Sequence, residues 1–138
     1  MKIVSLLITL ILFFTACSDD ATIIKHEKSL TQLPCIHLVV FPPDKLISQT
    51  LQELYTFDDN CKYKLEVSRK SQIVCNSNQN APQKALSNFP NSYLRLDLYK
   101  EQHLLYSYYK DLTREVTSQD IETAFQRLQE DFILKPQR

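Results

Sequence analysis

Not one of the 138 residues is glycine. At an average usage of ~7%, a chain of this length would carry about ten. Glycine is the default residue where a backbone needs φ > 0 or must come close to a ligand. Phosphate-cradling GxxxxGK[ST] loops, dinucleotide GxGxxG turns and GxSxG nucleophile elbows all depend on it. All three are excluded, and with them most nucleotide-using enzymes and α/β-hydrolases. Turns must instead be built from Asn, Asp, Ser and Pro. The length fits one domain on a prior of ~100–200 residues. Sixteen Lys and Arg balance sixteen Asp and Glu, so no strong field points towards nucleic acid or an anionic surface.

Met1-Lys2 gives a short basic start, and residues 3–14 are apolar apart from Ser5 and Thr9. At 1.5 Å per residue this run spans ~18 Å, too short for a hydrocarbon core of ~30 Å. Length and flanks instead fit a secretory signal. It ends in Phe14-Thr15-Ala16-Cys17, followed by the polar Ser18-Asp19-Asp20. This segment resembles the lipobox of bacterial lipoproteins, in which small residues precede a cysteine that is lipidated and becomes the first mature residue. Phe14 stands where that pattern usually has an aliphatic side chain. The resemblance covers about twenty residues. It implies residues 1–16 as signal peptide, Cys17 as the lipidated and acylated residue, and anchoring in the cell envelope. A diacylglyceryl thioether plus an N-acyl chain such as palmitate would make a lasting anchor, because stable attachment takes two hydrophobic signals. By the same resemblance, Ser18 rather than an acidic residue after the cysteine implies the periplasmic face of the outer membrane.

The mature chain then carries fifteen basic and sixteen acidic residues, a net charge of −1. That excludes electrostatic nucleic-acid binding as a main role. Residues 17–33 are mostly polar without a clear period and read as a lipid-anchored tether, with Ile23-Ile24 left in solvent. Residues 34–138 read as a single α+β domain. Cys35-Ile36-His37-Leu38-Val39-Val40-Phe41 is a β-branched strand stopped by Pro42-Pro43. Pro43 or Asp44 opens a helix, with Ile47, Leu51, Leu54 and Tyr55 on one face. Cys61 to Val67 alternates apolar and charged side chains as a half-buried strand, and Ile73-Val74-Cys75 resumes the strand signal after a polar stretch. Asn76 to Asn80 is a loop, and residues 82–87 hold one helical turn.

Tyr93-Leu94-Arg95-Leu96-Asp97-Leu98-Tyr99 alternates most clearly, with three leucines on one face. After a turn at residues 100–103, the aromatic-rich segment from Leu104 returns antiparallel as a hairpin. Thr117 caps a last helix with Asp120 at N3, and Ile121, Ala124, Phe125, Leu128 and Phe132 form its apolar stripe. The order β-α-β-β-β-β-α predicts a small, mainly antiparallel sheet with two helices on one face.

Export makes a disulfide the expected state of paired cysteines. With Cys17 on lipid, Cys35, Cys61 and Cys75 remain. If the segments ending at Val67 and starting at Ser71 form a hairpin about Ser68, Cys61 and Cys75 face each other at cross-strand distance. That pair is preferred, with Cys35 a buried free thiol. Cys35 bridged to either partner stays open.

No catalytic or metal-ligating constellation emerges. Cys35 and His37 share a strand face without contact, His26 and His103 lie apart, and three such histidines do not make a zinc site. Asp58-Asp59 and Glu130-Asp131 read as a turn and a solvated helix face. Arg95 and Asp97 read as a surface ion pair. No enzyme and no cofactor are expected.

Tyrosine is what distinguishes the chain. Tyr93 and Tyr99 stand opposite the leucines, and Tyr109 lies on the other face from Tyr106 and Tyr108. Tyrosine pairs large rigid area with a hydroxyl, the chemistry of protein contact surfaces. Against this stands a plain shielding role at the rim of the core. Tyr93, Arg95, Tyr99 and Tyr109 are the candidate partner-binding residues, and one hairpin edge would offer backbone groups for strand addition. The favoured function is a non-enzymatic accessory subunit of an envelope assembly for secretion, conjugation or transport. The alternatives are a carrier of an apolar ligand such as lipid, which needs a pocket of ~300 Å³ or more, and a surface-exposed or immunity-type lipoprotein.

Overall fold

A computed structural model describes residues 21–26, 31–73 and 90–134. In chain order the elements are β1 (Thr22–Lys25), β2 (Thr31–Leu33), β3 (His37–Val40), α1 (Lys45–Leu54), β4 (Tyr63–Lys70), β5 (Ser92–Lys100), β6 (His103–Leu112), α2 (Ser118–Asp131) and β7 (Phe132–Leu134). Five strands make one sheet in the order β1-β6-β5-β4-β3, and β2 pairs with β7 in a separate two-stranded sheet. Within the large sheet only the β3–β4 pair is parallel. The α+β class, the mainly antiparallel sheet and the two helices agree with the sequence reading.

Alternation builds the core. Leu94, Leu96 and Leu98 of β5 are fully buried, as is Leu65 of β4. Leu65 lies opposite Leu98, Val67 opposite Leu96, and Tyr108 and Tyr106 of β6 continue the same rows. Ile47 and Leu51 of α1 and Ile121, Ala124, Phe125 and Leu128 of α2 close over this face. Each fully buried Leu, Ile or Phe contributes about 1.5–3 kcal/mol relative to leaving it in water.

Of Pro43 and Asp44, the two residues read as opening α1, Asp44 is its cap, and the capping box read at Thr117 and Asp120 starts α2. Asp44 caps α1 by accepting a hydrogen bond from the Ile47 N–H at 3.1 Å. Its second carboxylate oxygen accepts from Arg69 Nε at 2.6 Å, and the same guanidinium donates to the Val116 carbonyl at 3.3 Å. Arg69 thereby ties the end of β4 to the entry of both helices. Burial pushes the Asp44 carboxyl up, but Arg69 and the Ile47 N–H outweigh it and hold it below its usual range. At α2, Asp120 accepts from the Thr117 N–H at 2.8 Å and from Arg114 through both carboxylate oxygens, at 2.6 and 2.8 Å.

The absence of glycine leaves a mark at the β5–β6 turn. Glu101 takes φ 57 there, and Gln72 takes φ 57 after β4. Both occupy the left-handed region that costs non-glycine residues roughly 1–2 kcal/mol.

Four expectations are corrected. First, the disulfide joins Cys35 to Cys61, with Cα atoms 5.8 Å apart; Cys61 is not bonded to Cys75, which lies outside the described residues. The cause is the parallel crossover. With His37 beside Lys64, the residues just before β3 and β4 come together, and Cys35 is not a free thiol. Second, β4 does not turn at Ser68. It runs on to Lys70, with Ser68 opposite Arg95 and Lys70 opposite Tyr93, because β5 offers a full-length partner and Arg69 has buried work to do.

Third, residues 22–25 and 31–33 are not tether. Ile23 lies opposite Tyr108 on β6, Leu33 is fully buried, and Lys25 forms an ion pair with Asp131. Fourth, the apolar stripes end early. Leu54 is 42% exposed, and Phe132 is buried as the first residue of β7 rather than as the last turn of α2. The expected Asn76–Asn80 loop, the helical turn over 82–87 and the signal segment with Cys17 lie outside the described residues.

Candidate interaction surface

Because side chains alternate across a strand, the residues opposite the buried leucines share the other face of the sheet. Among the described residues no helix packs on that face. On β5 it carries Tyr93, Arg95, Asp97 and Tyr99. Cross-strand neighbours are Lys64, Glu66 and Ser68 of β4 and Ser107, Tyr109 and Asp111 of β6. The four residues singled out from sequence, Tyr93, Arg95, Tyr99 and Tyr109, therefore lie on one surface.

Their side chains are braced rather than loose. The Tyr93 and Tyr109 rings stack with centroids 5.5 Å apart, and the Tyr109 hydroxyl donates to Asp111 at 2.8 Å. Burial and that hydrogen bond push the Tyr109 hydroxyl above its usual pKa. Burial, reinforced by Asp97 and Glu66, does the same for Tyr99. Both stay neutral donors at physiological pH. Lys64 Nζ sits 5.1 Å from the Tyr99 ring centroid and also pairs with Glu66 at 2.7 Å.

Arg95 and Asp97 do form the ion pair read from sequence, at 2.6 Å, but unequally: the Arg95 side chain is 49% exposed and that of Asp97 only 8%. Ser107 donates to the second Asp97 oxygen at 2.6 Å. Glu66 lies directly opposite Asp97, a like-charge placement that is unfavourable alone. Lys64 and Arg95 flank the two carboxylates and offset it.

Between these charges and the end of β3 lies a shallow cavity of about 430 Å³, lined by Val39, Phe41, Glu66, Ser68, Arg95 and Tyr99. Phe41 is 76% exposed. At the opposite edge of the same face, Ile24 of β1 is 51% exposed. Sequence reasoning missed Phe41, Lys64 and Glu66. The strict alternation from Cys61 to Val67 already placed Lys64 and Glu66 on one face, but only the β4–β5 register shows that it is the tyrosine face.

One expectation needs correcting here. The β5–β6 hairpin is flanked on both sides, by β4 along β5 and by β1 at Tyr106–Tyr109 of β6, so neither edge is open along its length. Among the described residues no group of three or more His, Cys, Asp or Glu is placed to hold a metal, and no helix is long and apolar enough to cross a membrane. Set against known proteins, the chain matches no family model, no curated sequence and no solved structure.

Proposed function

We propose that this is a non-enzymatic, lipid-anchored interaction domain of the bacterial cell envelope. It is tethered through Cys17 to the periplasmic face of the outer membrane and engages a protein partner with the open face of its sheet. The observation that supports this most is the gathering of Tyr93, Arg95, Tyr99 and Tyr109 on a face that no described helix covers, beside an exposed Phe41. Aromatic and Arg side chains are the residue types that dominate binding hot spots. Stacking and hydrogen bonding hold these in place before a partner arrives, so less side-chain freedom is lost on docking. The role that follows is accessory: presenting a fixed surface to a secretion, conjugation or transport assembly.

The test uses the full chain, isolated from envelopes with its cross-linked partners. The variant Tyr93→Ala/Tyr99→Ala should melt close to the native protein and lose partner recovery, by about thirtyfold in affinity if the pair contributes ~2 kcal/mol. Undiminished recovery by a folded double variant would move the interface elsewhere. The exposed side of α2, at Glu122, Gln126 and Gln129, is then the next surface to test. In parallel, Cys17→Ser should abolish palmitate labelling and release the protein from membranes. Label persisting in that variant would remove the anchor from the reading.

A further inference from the structure

β3 is an outer strand of the five-stranded sheet. Successive residues of such a strand present their backbone groups alternately to the neighbouring strand and to the outside. The Phe41 N–H donates to the Val67 carbonyl at 3.3 Å, which fixes the phase: His37, Val39 and Phe41 bond towards β4, while Leu38 and Val40 point their N–H and C=O groups outward. One step earlier, the outward carbonyl of Ile36 accepts from the Asp58 N–H at 2.8 Å. The edge thus already holds one rung of a further strand, and beyond it no described backbone group meets Leu38 or Val40.

The side chains beside this edge line a cavity. Leu38 and Val40 lie opposite Leu65 and Val67, on the helix-covered side. There a cavity of about 560 Å³ opens between the edge and α1, walled by Leu38, Val40, Gln52, Tyr55 and Phe57. β3 itself carries no Asp, Glu, Lys or Arg, the residues that usually guard an edge against pairing. The Cys35–Cys61 bond joins the segment before β3 to the loop that carries Phe57 and Asp58, so the wall and the edge are held together.

We propose that the β3 edge is a strand-addition site for an extended segment of a partner protein with apolar side chains at alternate positions. Two N–H and two C=O groups repeating every second residue, at ~6.6 Å, match an extended backbone and little else. A strand laid ~4.8 Å beyond β3 sends every second side chain over the cavity. A second copy fits less well. Two-fold antiparallel pairing would bring both copies of α1 and Phe57 to the same side of the sheet, competing for the space above one short edge. The proposal deepens the interaction reading by naming the kind of segment engaged, on a surface separate from the tyrosine face.

The test displays a library of random ten-residue peptides to the full chain and follows amide hydrogen exchange by NMR with the selected peptides. Selected sequences should alternate apolar residues, and exchange at the Leu38 and Val40 amides should slow on binding. Leu38→Pro removes one outward N–H and leaves the bonds to β4 in place. It should weaken binding at least about fivefold, through the loss of one backbone hydrogen bond and of the Leu38 side chain from the cavity wall. Gln52→Trp fills the cavity without touching the edge and should weaken it tenfold or more. Tyr93→Ala/Tyr99→Ala should bind as the native chain does, so failure here and failure of the tyrosine-face reading are separable. The proposal falls if no peptide is selected, if peptides bind without slowing exchange at Leu38 and Val40, or if Leu38→Pro and Gln52→Trp both bind unchanged. A concentration-dependent dimer lost in Leu38→Pro would assign the edge to a second copy and overturn it as well.

Discussion

The two faces of the sheet are made from the same strands and obey opposite rules. On the helix side Leu65, Leu94, Leu96, Leu98, Tyr106 and Tyr108 are fully buried; shape decides everything there, and polar atoms are a burden. The Tyr106 hydroxyl shows the burden, since it is buried with no hydrogen-bond partner among the described residues. On the other side Tyr93, Tyr99 and Tyr109 keep their hydroxyls near water and their rings braced by a neighbouring ring or a lysine. One residue type serves as filler on one face and as contact surface on the other, and strand parity alone assigns the role. A side chain's contribution is set by which face it is on more than by what it is.

The contrast is sharpest for truncation. Leu96→Ala removes a fully buried side chain and should cost about 2–5 kcal/mol in denaturant melts, through lost transfer energy and the cavity left behind. Its neighbour Arg95, 49% exposed in its side chain, should cost far less as Arg95→Ala, about 1 kcal/mol. Comparable losses at both positions would mean that the open face is covered.

A smaller effect tests how the helix layer is attached. The bidentate Arg114 contact, with the Thr117 backbone and side chain, overcomes burial and holds the Asp120 carboxyl far below its usual range. A group whose folded pKa is depressed contributes stability above its unfolded value, ~3.9 for Asp, and loses it as pH falls from there. Native stability should therefore decline as pH drops below about 4. Asp120→Asn, which gives up about 1–2 kcal/mol at neutral pH, should lose less on further acidification. Parallel pH profiles would show that the cap carries no linkage.

The smallest effect compares hydroxyls across the sheet. Tyr106→Phe deletes a buried unpartnered oxygen and should be neutral or stabilising by up to about 1 kcal/mol. Tyr109→Phe breaks the bond to Asp111 and should cost about 0.5–1 kcal/mol. Thermal melts of the two variants should move in opposite directions, or only the second should move.

The sequence by itself determined what repeats locally. Alternation in residues 93–99 assigned leucines and tyrosines to opposite faces, and a 3.6-residue period, with Pro43 or Asp44 opening the first helix and Thr117 capping the second, located both helices. The absence of glycine means that no glycine-rich phosphate loop and no GxSxG elbow stands in this sequence. Only the tertiary structure decided what depends on partners distant in the chain. Cys35 meets Cys61 because β3 and β4 are parallel across α1. Residues 22–25 and 31–33 become strands because β6 and β7 offer them edges. Lys64 and Glu66 join the tyrosine face because β4 lies beside β5. Periodicity is a property of one segment and can be read within it. Pairing is a choice among segments, and the energy that settles it comes from contacts the sequence order does not contain.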